Sequence, residues 1–533
     1  MRSLIKSILN FFGLEKTSFK VRKIIPRRDY SKYSNQILVE AWLSPSIILG
    51  LITFLPHLAE KYQARPISYY GSVGGLKKSL KENFRNVFSI YFKIGIRGFR
   101  LFDFTRKNST YLELARKIIA ENSSADQFEK VMYRDILVGD VVGDSFIRGN
   151  FLPTLDFNHL DLLEKLSNAL FYIDMLYEYF DKNPVKAVVI IETTYMLALP
   201  GRVALQVGID TFVITHSCVY RLTKERYIAF HHYHEFKSLF RSLPTEVQKY
   251  GISKAKEYLP IKLKDAGFGL VPSAHTEYFP QGASFNLSNP IRLLVTAHDF
   301  FDSPHSVGDS FFPDYFQWLR CVRDMAQKNH YTLLLRPHPN SRSWNMEVLE
   351  QLFADVKNVQ LIDSKTTNKQ LLQLDISAVL TVYGTVGSEW PLVGVPVINA
   401  SPNHKHCRIA GNITPSSREE YVEILDNLNN WTFTEQNEPD GWAEYIFMRD
   451  FFMMKSFNTK HLVNAVGAIG LKFDWIVGRK FDWNLAYKVL TYEQYDSEHI
   501  RKGFASFLES GDYFFHRGHL GVANRIEDYE NYK

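Results

Sequence analysis

Short unbroken apolar runs, each followed by an amphipathic stretch, constrain this chain more than any other feature. KAVVIIE at 186–192 is the plainest of them. A strand that is apolar on both faces is buried on both faces, and that arrangement belongs to parallel sheets covered by crossover helices. ILVEAW at 37–42, PISYYG at 66–71 and DTFVITHS at 210–217 read the same way, and Ser46 to Tyr62 reads as a helix between the first two. PQGASFNLSNP at 280–290 then gathers turn formers and marks a break. Beyond it the pattern restarts, with strands expected at Leu293–Ala297, Tyr331–Arg336, Val359–Ile362, Ala378–Val382 and Pro396–Ala400. Helical periodicity covers Asp314–Gln327 and Trp344–Val356. The expected fold is α/β: two Rossmann-like doubly wound domains facing a cleft. A basic arm (1–30), an N-terminal domain (31–285), a C-terminal domain (286–430) and a helical tail (431–533) that packs back on the N-terminal domain complete the expected organisation.

Composition narrows the class. With 45% hydrophobic and 23% charged residues in 533, the chain supports sizeable cores. Cys218, Cys321 and Cys407 lie far apart with no CxxC spacing, which gives neither a disulfide framework nor a zinc site and suits a reducing compartment. No secretory leader is recognisable, and the longest apolar run, Ile47 to Leu55, falls short of the roughly 20 residues a membrane span needs. A cytoplasmic protein, peripheral at the inner face of the plasma membrane, is the expectation. Residues 1–30 carry Arg2, Lys6, Lys16, Lys20, Arg22, Lys23, Arg27 and Arg28, with Leu4, Ile5, Ile8, Leu9, Phe11 and Phe12 at helical spacing. Such an arm either lies on an anionic leaflet or packs on its own domain. No basic patch with interleaved aromatics recurs elsewhere, so nucleic acid is not an expected partner.

Three strand ends of the second half carry candidate chemistry. Arg336, Pro337, His338 and Pro339 directly follow YTLLLR. The prolines stiffen the turn, and Arg336 and His338 both donate to phosphate. At Thr381–Trp390, Gly384 opens a turn through which Thr385, Gly387, Ser388 and Glu389 lead into an expected helix. Backbone amides and hydroxyls there suit an anion, and Glu389 suits ribose hydroxyls. The third, Thr296–His305, places His298, Asp299, Asp302 and His305 at the same edge. Glycosyl transfer needs a carboxylate or histidine as base for the acceptor, or a nucleophilic carboxylate; Asp302, aided by His298, is the favoured catalytic residue, with Asp299 the alternative. In the first half Tyr195, Arg202 and His216 follow strand ends and are candidates for acceptor hydroxyls. LVGDVVGDSFIRGN at 137–150 matches neither a P-loop nor a GxGxxG fingerprint, and no residue cluster compels a metal.

RPHP, followed some 45 residues later by the Gly-Thr…Ser-Glu turn, resembles bacterial surface-polysaccharide glycosyltransferases of the GT-B fold, including capsule-associated Kdo and sialic-acid-type transferases with an HP motif and a Ser/Thr motif. The run AHDFFDSPHS, FFPDYFQWL, RPHP looks most like enzymes for nonulosonic acids such as pseudaminic acid. The resemblance implies that His338 and Pro339, with Thr385 and Ser388, hold the cytidine nucleotide of a CMP-sugar, that Asp302 is the counterpart of the upstream catalytic acidic residue, and that neither cofactor nor metal is needed. It also implies a lipid-linked glycan acceptor. Here TVGS separates the two hydroxyl residues, which leaves their individual roles open. CDP-glycerol glycerophosphotransferases and UDP-sugar epimerases share the architecture, and a non-catalytic assembly scaffold is a third possibility.

Overall fold

The computed structural model describes residues 29–41, 45–71, 91, 95–96, 98–102, 108–215, 218–268, 284–286, 290–308, 310–338, 341, 343–363, 365–402, 406, 409–430, 432–434, 440–453 and 498–530. The arm at 1–28, His216, Pro339 and Cys407 lie outside them, as does the tail segment 454–497.

Two six-stranded sheets organise the chain. The first is built from β1 (Asn35–Glu40), β2 (Ala64–Gly71), β3 (Phe99–Phe102), β4 (Val185–Ile190), β5 (Asp210–Ile214) and β6 (Val219–Leu222), in the order β3-β2-β1-β4-β5-β6. Only the β5–β6 pairing is antiparallel. A two-stranded ribbon joins β7 (Ser284–Asn286) to a strand at Thr432–Thr434, where the chain enters and leaves the second half. The second sheet is β8 (Arg292–Thr296), β9 (Thr332–Arg336), β10 (Val359–Leu361), β11 (Ala378–Thr381), β12 (Val397–Asn399) and β13 (Asn412–Ile413), ordered β10-β9-β8-β11-β12-β13 and parallel throughout. Counted within its own half, each sheet runs 3-2-1-4-5-6, the doubly wound order. The expected GT-B architecture is the observed one.

The crossover helices follow from their sequences. In Tyr315–Asn329, Tyr315, Trp318, Leu319, Val322 and Ala326 recur every three or four residues and are the buried set. Asp314 caps the start by accepting from Gln317 N at 2.8 Å, and His330, in the left-handed region, ends it. Gly139–Asn150 is likewise a helix, buried along most of its length despite carrying Asp140 and Asp144. One apolar cluster runs from the helices of the first half through Leu294, Leu334, Val379 and Trp390 of the second.

The described residues after 440, namely 441–453 and 498–530, pack on the first half. Gly441–Phe447 lies on the Thr245–Asp265 helix, where the Phe447 ring occupies the space a side chain at Gly251 would need. The helix Glu498–Ser510 packs on Pro45–Tyr62 through Phe54, Phe504 and Phe507. The following segment adds to the edge of β6: Arg221 N donates to Tyr513 O at 2.8 Å and Phe515 N to Val219 O at 2.9 Å.

Two expectations need correction. No helix follows Gly384; the chain makes two 3-10 turns, Thr385–Ser388 and Trp390–Val393, because Pro391 and then Gly394 (φ 86°) prevent continuation. The strand expected to run to residue 217 ends at Ile214, and Thr215 and Cys218 form a turn that sends β6 back antiparallel.

Candidate functional site

In a sheet of this order, the crevice opens at the carboxyl ends of the first and fourth strands, where the crossover direction reverses. In the second half those ends are Thr296–Asp302 and Thr381–Gly384. The His298 ring stacks on Tyr315 with centroids 4.5 Å apart, and its Nε2 lies 3.3 Å from Thr381 Oγ1. That hydroxyl also accepts from Gly384 N at 3.0 Å, so one threonine ties both strand ends together. Asp299 is buried and accepts from Asn345; burial raises its pKa, opposed by that bond and by the nearby His338 charge. Asp302 is exposed and accepts from Ser303 N at 3.0 Å. The structure therefore gathers His298, Asp299 and Asp302, with His338 within electrostatic reach of Asp299.

Arg336 is half-buried at the end of β9. It donates to Asn368 Oδ1 at 2.5 Å and Thr366 O at 2.8 Å, leaving Nε without a partner. Burial lowers its pKa, against the pull of Glu389. The two hydroxyls of the glycine turn diverge: Thr385 is exposed, whereas Ser388 is buried and donates to Thr385 O at 2.8 Å. Gly387 is hemmed in, since a Cβ there would stand 2.8 Å from the His406 ring and 2.9 Å from Asn412 Oδ1.

At the corresponding point of the first sheet stand Glu40, which ends β1, and Glu192, just past β4. Neither was singled out from the sequence, although ILVE and VVIIE share one signal: a carboxylate closing a strand otherwise buried on both faces. Glu40 is 4% exposed, and its Oε2 accepts from Ile191 N at 2.8 Å. Desolvation pushes its carboxyl up to about 8, against the hydrogen bond from Ile191 and with the Glu192 charge adding to the rise. Glu192 Oε1 accepts from Thr193 N, Thr194 N and Thr194 Oγ1 at 3.0, 3.3 and 2.9 Å. Its pKa too is raised by burial, while those bonds and Arg148 pull it down.

Tyr195 sits three residues on, at φ 55° and ψ −177°, a conformation that costs a non-glycine residue of order 1–3 kcal/mol and clusters at functional sites. Its hydroxyl accepts from Arg148 at 2.6 Å, and burial raises the phenol's pKa, with Arg148 opposing and Asp302 and Asp144 reinforcing. Tyr195 thus lies between the two switch points. Arg202 does not. It is 7% exposed, makes a two-pronged pair with Asp140 (2.7 Å each), donates to Leu137 O at 2.6 Å and faces the Tyr227 ring. These contacts make it an internal brace.

The halves are fastened beside this crevice. His305 Nδ1 lies 2.7 Å from Asp144 Oδ1 and its Nε2 3.2 Å from Glu129 Oε2, while Ser303 Oγ donates to the other oxygen of Asp144. Burial pulls the imidazole's pKa down, but Asp144 and Glu129 overcome that and hold it well above the usual value. Thr154 donates to Asp314 at 2.6 Å, and His231 Nε2 lies 2.6 Å from Val307 O. No sequence pattern announces this clamp, because its members come from two halves.

Among the described residues one group has metal-ligand composition, Asp512, His516 and His519, with ligand atoms within 4.8 Å of one another. Nδ1 of His516 accepts from Gly518 N and Nδ1 of His519 from His516 N, both at 3.1 Å. Each ring therefore carries its proton on Nε2, the atom facing Asp512, and has no lone pair there for a cation. The group locks a turn.

Fold and site together define a two-domain α/β protein of the GT-B type with a polar crevice between its switch points. Among solved structures, it is similar to the β-Kdo 2,7 transferase KpsC of Thermosulfurimonas dismutans (9% identity, TM-score 0.29, 51% of this chain and 79% of that one). It is also similar to UDP-GlcNAc 2-epimerases from Neisseria meningitidis (12%, 0.22, 78% and 98%) and Methanocaldococcus jannaschii (11%, 0.23, 78% and 98%). No protein-family model and no curated protein matches the sequence. The strand order above, rather than these likenesses, defines the fold class.

Proposed function

We propose that the protein is a glycosyltransferase that moves a nonulosonic or ulosonic acid from a CMP-sugar to a lipid-linked surface glycan at the cytoplasmic membrane face. The observation that carries this reading is the gathering of His298, Asp299 and Asp302 at one switch point, with His338 on the neighbouring strand end. Arg336, His338, Pro339, Gly384 and Thr385 take the nucleotide and its phosphate, and Glu389 the ribose. Ser388 shapes the turn from within. Asp302 is the exposed carboxylate and the favoured catalytic group, and Tyr195 contacts the acceptor. The donor identity rests on the sequence resemblance, and the acceptor side on the position of Tyr195. Among the described residues no helix is long and apolar enough to cross a membrane, so membrane contact in this reading falls to residues 1–28.

Titration calorimetry with CMP tests the reading. His338→Ala is expected to weaken binding at least tenfold, since one charge-assisted hydrogen bond contributes about 1.5–3 kcal/mol. Unchanged affinity removes His338 from the site. Offering CMP-sugars, CDP-glycerol and UDP-sugars separately, with product analysis, separates this activity from glycerophosphotransfer and epimerisation.

A further inference from the structure

At the switch point of the first sheet two carboxylates, Glu40 and Glu192, close adjacent strands. Resting on the glycosyltransferase reading, we infer that Glu192 is a catalytic residue, the base that takes the acceptor hydroxyl's proton, and that Glu40 is its positioning partner.

Glu40 and Glu192 end the first and fourth strands, the two that flank the switch point, and β1 and β4 pair directly through Val39 and Val189. One oxygen of Glu192 is fixed by three donors from Thr193 and Thr194, while Oε2 has no hydrogen-bond partner among the described residues. A base needs that division: one oxygen anchored to fix direction, the other open to a substrate. The residues nearby carry the arrangement toward the second half. Arg148 reaches Glu192 through its charge and Tyr195 through a hydrogen bond, and the Tyr195 phenol feels Asp302 across the crevice. The hydrogen-bonded Arg148–Tyr195 pair therefore stands within electrostatic reach of a carboxylate from each half, Glu192 and Asp302.

Glu40 holds the loop beneath. Its Oε2 accepts from Ile191 N, the residue before Glu192. On the adjacent strand its register partner is Tyr69, 1% exposed, whose hydroxyl is buried without a hydrogen-bond partner. Burial, with the Glu40 charge adding to it, holds the Tyr69 phenol well above its usual value, so of the two groups only Glu40 titrates near pH 8.

In the step itself, the acceptor oxygen forms its bond to the anomeric carbon as its proton passes to Glu192 Oε2. The bond from that carbon to the donor phosphate breaks, and its electron pair leaves on CMP. If Asp302 instead forms a glycosyl intermediate first, the acceptor still loses its proton to Glu192 in the second displacement. No oxidant or metal enters the balance.

Glu192→Gln separates this role from a structural one, because the amide oxygen still accepts from Thr193 and Thr194 while the basic oxygen is lost. The assay follows CMP release from whichever of CMP-pseudaminic acid, CMP-sialic acid and CMP-Kdo the wild type consumes, with a membrane glycolipid extract as acceptor. E192Q is expected to lower kcat by about 10²–10⁴-fold with CMP affinity unchanged within threefold. E192D, with its carboxylate withdrawn by one methylene, should fall between. E40Q should lower kcat less than E192Q and remove an inflection of kcat/KM near pH 8. A kcat for E192Q within threefold of wild type overturns the inference and leaves the proposed function standing. A wild type that binds CMP but transfers from no CMP-sugar overturns both.

Discussion

Arg202 offers the sharpest contrast between two readings of one residue. As a contact for acceptor hydroxyls, its loss would leave stability unchanged and weaken acceptor use. As the brace the structure shows, its loss strands Asp140 at 4% exposure, inside a helix packed on its neighbours. Removing one partner of a buried ion pair costs about 3–5 kcal/mol, since the remaining charge stays desolvated. A domain of this size shifts by about 2–4 °C per kcal/mol. Arg202→Met should therefore lower the melting temperature of the first half by roughly 6–20 °C. The double variant Arg202→Met/Asp140→Leu should recover most of that, because exchanging both charges for apolar side chains is often neutral or stabilising. Circular dichroism and calorimetric scans resolve the two halves if they melt separately. A shift under 2 °C for the single variant, with a raised KM for acceptor, refutes the brace and restores Arg202 to the acceptor site.

The His305 clamp sets a pH dependence. Its folded pKa is raised, so its contribution to fastening the halves is full below about 6.5 and is lost as pH rises through the folded value; His305→Gln should flatten that decline in thermal scans from pH 6 to 9. Gly251→Ala places a methyl group 2.8 Å from the Phe447 ring and should cost about 1–3 kcal/mol, read by urea titration. Thr385→Ala should weaken CMP binding in calorimetry with little change in stability. Ser388→Ala should do the reverse, lowering stability by about 1 kcal/mol as the bond to Thr385 O is lost.

Strands were legible where burial on both faces left one kind of residue: Ala378–Thr381 and Val185–Ile190 are unmistakable runs apart from Lys186. Where local bonding decided the outcome, the sequence was ambiguous. Pro391 stops the turn after Gly384 from becoming a helix, and Thr215 reverses β6. The candidate site divides similarly. His298, Asp299 and Asp302 follow a strand directly, so position alone points to them. Asp144 and Glu129 do not; they face His305 only because the halves dock, and nothing local marks Asp144 as different from Asp140. Glu40 and Glu192 were visible as charges closing apolar strands. Their significance came from the strand order, which makes those two ends adjacent.

The completion of β6 by residues 513–515 has a consequence for how the molecule is made. About 290 residues separate Leu222 from those that cover its strand. At roughly 5–20 residues per second, the edge of β6 stays bare for about 15–60 s after it emerges from the ribosome. An uncovered strand edge is a template for pairing with another chain. The face of Pro45–Tyr62 that receives Phe504 and Phe507 waits longer still, about 22–90 s at the same rate, because some 450 residues separate Phe54 from Phe504. Nascent chains of this protein should therefore engage chaperones through the first half until synthesis reaches the residues that close it.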